Sequence, residues 1–124
     1  MTPSAFAREL VARLAAILPP GFTARADAEI IHIDAPDGTG SATSLADIDP
    51  DDGEAEDYAS AAWNALSMAQ DVVSETLGDP WPAAVGPARD LAAPDTRVEG
   101  DAIHLWFGDE AAPVVRLEPI PLHP

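Results

Sequence analysis

At 124 residues the chain is long enough to enclose one core and too short for two well-filled ones, so a single domain over residues 1–124 is expected. The absence of cysteine excludes a disulfide framework, thiolate chemistry and Cys-based zinc binding. A formal net charge of -16, carried by 22 acidic residues against six arginines and no lysine, repels nucleic-acid phosphates and anionic membrane surfaces as direct partners.

Thr2-Pro3 offers a helix cap followed by a proline at the first helical position. Phe6, Leu10, Val11, Leu14, Ile17 and Leu18 then fall on one stripe, which predicts a helix of about four turns. Pro19-Pro20-Gly21 ends it, because proline cannot continue the hydrogen-bond ladder. Arg8, Glu9 and Arg13 interrupt this apolar stretch, so it reads neither as a signal-peptide core nor as a membrane span, and a cytoplasmic location is expected.

Phe22 to Arg25 and Ile30 to Asp34 read as a strand pair about the turn Ala26-Asp27-Ala28, and Thr39 to Leu45 as a weaker third strand at a sheet edge. After a polar loop from Asp47 to Gly53, Tyr58, Ala62, Leu66, Ala69, Val73 and Leu77 recur at spacings of three and four. They predict a long helix ending at Gly78. A loop with Asp79-Pro80-Trp81-Pro82, Pro87 and Pro94 runs to about Asp95. Beyond it come Arg97-Val98, a turn at 99–101, a strong strand from Ala102 to Phe107 and a strand from Val114 to Glu118. Residues 119–124 have the spacing of an extended, proline-rich tail. The expected fold is an α+β two-layer sandwich, order α-β-β-β-α-β-β, with one antiparallel sheet carrying both helices on one face.

The charge is uneven. From Asp27 to Asp79 there are 14 acidic residues and no base. Asp47, Asp49, Asp51, Asp52, Glu54, Glu56 and Asp57 put seven of them into eleven residues. A calcium loop needs glycine at its sixth position and glutamate at its twelfth; counted from Asp47 those positions hold Asp52 and Tyr58, so no metal site is expected there. His32, His104 and His123 are the only imidazoles. No HExxH, GxSxG, phosphate-loop or dinucleotide motif accompanies them, and no catalytic residue or cofactor is expected.

If the odd-numbered apolar residues of the strands face the helices, Ile30, His32, His104, Trp106, Val114 and Arg116 face the other way. With Trp81 as a lid or separate anchor, this apolar, aromatic set is the expected protein-binding surface; the alternative is that loop 79–96 folds over that face and buries Trp106 within the same chain. Of the hydrophobic residues 25 are alanine, so the core is thin and pairing with another chain is favoured. The expected function is therefore a non-enzymatic adaptor or chaperone-like module acting on another protein, basic by charge complementarity, and itself a homodimer. The alternatives are an acidic inhibitor that imitates nucleic acid, using the Asp47 to Asp57 carboxylates against a basic cleft, and an enzyme or metal-binding protein built around the histidines.

The element order over roughly residues 4 to 118 resembles the fold of class I type III secretion chaperones and the related YbjN-like domains. The segments Asp79-Pro80-Trp81-Pro82 and Leu105-Trp106-Phe107-Gly108 are similar to ones in small acidic actinobacterial proteins. The resemblance implies a homodimer that holds an extended client segment by strand addition and apolar pockets. The chain departs from the chaperones in placing Pro119 to Pro124 where their last helix stands.

Overall fold

The structure, a computed structural model, describes residues 1–84 and 90–123. Pro87 of the expected loop lies outside the described residues. No described helix is long and apolar enough to cross a membrane.

Helix α1 (Pro3–Ile17) begins where its sequence directs: the Thr2 hydroxyl accepts a hydrogen bond from Ala5 N–H at 3.2 Å, with Pro3 in the first turn. Phe6, Ala7, Leu10 and Leu14 turn inward, and Leu18 is already extended ahead of the two prolines. Strands β1 (Thr23–Asp27), β2 (Ile30–Asp34) and β3 (Gly40–Ser44) form an antiparallel meander with β2 in the centre. Its alternation is strict, with Ile31 and Ile33 fully buried between half-buried neighbours.

Helix α2 (Ala55–Leu77) closes at Gly78 in the left-handed conformation, φ 72°, which a residue with a side chain adopts reluctantly. Ala59, Ala62, Ala65 and Ala69 are buried, and such small side chains let a strand approach closely: the Thr96 hydroxyl donates to the Ala59 carbonyl at 3.1 Å. Gln70, buried and polar, is satisfied by donating to the Ala92 carbonyl at 2.6 Å, which fastens the returning loop to the helix.

The remaining strands are β4 (Pro94–Glu99), β5 (Ala102–Asp109), β6 (Ala112–Arg116) and the short β7 (Ile120–Pro121). β5 pairs with β4 on one edge and with β6 and then β7 on the other. The α+β class and the antiparallel pairing are as expected. The single sheet is not: the strands divide into a three-stranded and a four-stranded sheet. The inner faces of both sheets and the inward stripes of both helices nevertheless share one hydrophobic cluster, from Phe6 through Leu66 to Phe107.

Two further differences have plain causes. β4 extends over six residues because every second one, Pro94, Thr96 and Val98, is half-buried, a period-two pattern carried by residues too polar to mark a strand. The terminal segment is extended and proline-rich as read, but docked: Ile120 and Leu122 are buried, Leu122 N–H donates to the Asp101 carbonyl at 2.6 Å, and the Arg13 guanidinium donates to the carbonyls of Glu118 and Pro119. The aliphatic side chains between the prolines enter the core.

Candidate functional site

The expected binding face does not survive as one surface. Ile30 and His32 lie on the three-stranded sheet, whereas His104, Trp106, Val114 and Arg116 lie on the four-stranded one. Its intended anchor is closed: Trp106 is only 2 % exposed. Trp106 stands apart from the cluster that holds Leu105 and Phe107, but the second side of the sheet is covered at this point too. The Arg116 guanidinium lies 5.8 Å from the Trp106 ring centroid, held there as it donates to the Glu110 carbonyl at 3.0 Å. The indole Nε1 is buried with no hydrogen-bond partner among the described residues. Ile30, His32, His104 and Val114 are each half-buried, and Val114 packs against the core beside the register shift at Phe107/Gly108. Trp81 is neither lid nor free anchor. Its ring meets Phe107 edge-on at 5.9 Å and its backbone exchanges hydrogen bonds with the Ser74 hydroxyl.

The acidic run keeps the disposition its sequence implies. Asp47, Asp49, Asp51, Asp52, Glu54, Glu56 and Asp57 are all exposed, and none pairs with a basic side chain among the described residues. Two of them shape the backbone. Asp49 Oδ1 accepts from the N–H groups of Asp51 and Asp52, and Asp57 Oδ2 accepts from Glu54 N–H at 2.9 Å, closing the first turn of α2. The remaining carboxylates project from a loop and helix start fixed in this way.

His123 shares a cavity of about 300 Å³ with Asp51, Glu54 and Asp101, while His32 and His104 line none of the described cavities. No three His, Asp or Glu side chains converge as metal ligands among the described residues. Among the described residues, two groups depart from their ordinary acidity. Hydrogen bonds from the Thr39 hydroxyl and N–H hold the Asp37 carboxyl below the usual range, and burial pushes the Tyr58 hydroxyl up.

The edges of the two sheets differ. In β3, Leu45 N–H donates to Glu29 and the Thr39 carbonyl accepts from Ala35, so the odd residues pair inward and Gly40, Ala42 and Ser44 present their main-chain groups outward. All three are exposed, and a cavity of about 230 Å³ lined by Gly40, Ser41, Val72 and Glu75 lies beside them. In β4 two of the outward residues, Pro94 and Thr96, are guarded. Pro94 has no N–H, its carbonyl accepts from Trp63 Nε1 at 3.0 Å, and Thr96 N–H donates to Asp95 Oδ1 at 2.8 Å. Trp63 lies off the buried stripe of α2 that the sequence marks. The available signal was a tryptophan off that stripe beside Asn64.

The chain matches no protein-family model, and no significant match to it exists among curated proteins or among solved structures.

Proposed function

We propose that this chain is a non-enzymatic protein-binding module of the adaptor kind, and that its partner presents a basic surface. The observation that carries this reading is the run of exposed carboxylates from Asp47 to Asp57 with no cationic partner among the described residues. Unneutralised charge of one sign accelerates encounter with a surface of the other and rejects wrong partners, over a range set by a Debye length of about 8 Å at physiological salt. Because Asp49 and Asp57 fix the backbone, little ordering is left to do on binding.

Asp47, Asp51, Asp52 and Glu56 are the positions to neutralise, since Asp49 and Asp57 also hold the fold. The quadruple variant Asp47→Asn, Asp51→Asn, Asp52→Asn, Glu56→Gln is expected to keep its melting temperature. In affinity capture from the native host it is expected to lose at least about tenfold of a partner that wild type also releases as salt rises. A partner retained equally by both proteins at high salt sinks the reading. Where the captured protein binds DNA, displacement by duplex DNA identifies the narrower role of a nucleic-acid mimic.

A second reading, a chaperone-like module that holds an extended segment, is favoured by the open edge of β3 beside its cavity. Strand addition there predicts slowed amide exchange at Gly40, Ala42 and Ser44 in the complex, by about tenfold or more, with no change across β4. Unaltered exchange at those three amides in a saturated complex removes this mode.

A further inference from the structure

β3 turns the amides and carbonyls of Gly40, Ala42 and Ser44 away from β2, so a further strand laid along it pairs with those three residues. The register then fixes where the side chains of that strand go. Ser41 stands opposite Ile33, which is fully buried, so Ser41 and the residue across from it in an added strand share the core-facing side of the sheet. On that side, between β3 and the last turns of α2, lies the cavity of about 230 Å³ bounded by Ser41, Val72, Glu75 and Thr76. An inward side chain of the added strand enters it.

The walls select the side chain. Val72, only 7 % exposed, supplies an apolar surface, and Asp37 and Glu75, both exposed, are the charged groups that line the cavity among the described residues. Neither meets a basic side chain there. Asp37 Oδ1 is taken up by the N–H and hydroxyl of Thr39 at 3.0 and 2.6 Å, whereas its Oδ2 accepts no hydrogen bond among the described residues. An aliphatic stem that ends in a cation satisfies both surfaces, because its methylenes cover Val72 while the charged head stays with the carboxylates and water. A wholly apolar side chain takes water from the carboxylates without replacing it, and an acidic one is repelled.

We propose that β3 receives an extended segment of a protein partner whose residue opposite Ser41 is lysine or arginine, its stem on Val72 and its charge meeting Asp37 and Glu75. The proposal rests on the strand-addition reading above and names the side chain which that mode selects. A second copy of β3 is the wrong occupant, since its sequence from Gly40 to Ser44 offers glycine, serine, alanine and threonine and no cation.

The test uses two short synthetic peptides with blocked ends, threonine and valine alternating about one central residue, which is lysine in the first and norleucine in the second. Each is titrated into the protein at physiological salt, with affinity and amide exchange as readouts. Wild type is expected to bind the lysine peptide about tenfold or more tightly than the norleucine peptide, with exchange slowed at Gly40, Ala42 and Ser44. Glu75→Gln is expected to cut that preference about fivefold or more. Asp71→Asn removes the same charge from the same helix at a position that does not line the cavity, and it is expected to leave the preference within about twofold. Ala42→Pro takes away an outward N–H and no bond to β2, so it is expected to weaken both peptides about tenfold or more. Melting temperatures of the three variants are compared with wild type first. Slowed exchange with both peptides bound equally, or a preference that survives in Glu75→Gln, overturns the cation pocket and leaves strand addition standing. Failure of the lysine peptide to slow exchange at the three amides overturns both. Exchange that slows without peptide as the protein is concentrated assigns the edge to a second copy and overturns the proposal.

Discussion

Trp106→Ala is expected to destabilise the fold by about 3–5 kcal/mol, the range for removing a buried tryptophan, and so to consume a large part of a small domain's stability. The indole is sealed on all sides, Arg116 stacks near it, and β5, on which it stands, pairs along both edges. Its removal leaves a cavity that neighbours tied into a sheet close poorly. Trp106→Phe separates volume from polarity: it keeps an aromatic ring and discards the unpartnered Nε1 donor, so it is expected to lie within about 1.5 kcal/mol of wild type. Urea unfolding followed by far-ultraviolet circular dichroism measures both. An alanine variant as stable as wild type means that the indole is open to solvent.

Deleting residues 119–124 is expected to be at least as damaging. It removes Ile120 and Leu122, at about 1.5–3 kcal/mol for each buried side chain, together with β7 and one of the carbonyls that Arg13 holds. The loss of about 3–6 kcal/mol approaches the full stability of a marginal domain, so a strongly lowered thermal midpoint or an unfolded product is expected. A dispensable tail gives the opposite result, a midpoint within a few degrees of the parent. Substituting Pro119 and Pro121 with alanine while keeping Ile120 and Leu122 is the control, since only the buried pair enters the core.

Much of the fold was legible because local chemistry and global packing agree. Thr2-Pro3 begins α1, Gly78 ends α2, and the isoleucines of β2 alternate as a half-buried strand must. What escaped lies where one signal masks another. In the last residues the aliphatic period of two was present at Ile120 and Leu122, but alternating prolines suggested a free extended tail. β4 was hidden because its alternating half-buried side chains, Pro94, Thr96 and Val98, include only one strongly apolar residue. The binding face failed for a different reason. Strand alternation states which residues share a side, but what lies on top of that side depends on contacts between distant segments. The acidic run was readable in full, since exposure and like charge require no tertiary knowledge.

Leaving one strand margin bare has a colloidal consequence. A row of unsatisfied amides and carbonyls flanked by Ser, Ala and Gly invites self-templating, and no proline, lysine or bulge interrupts Gly40 to Ser44. Mutual repulsion between highly anionic copies is then the main safeguard against stacking. Acidification toward the isoelectric point near 4.1 withdraws it, and turbidity with cross-β character should emerge in that window while the helices are still folded.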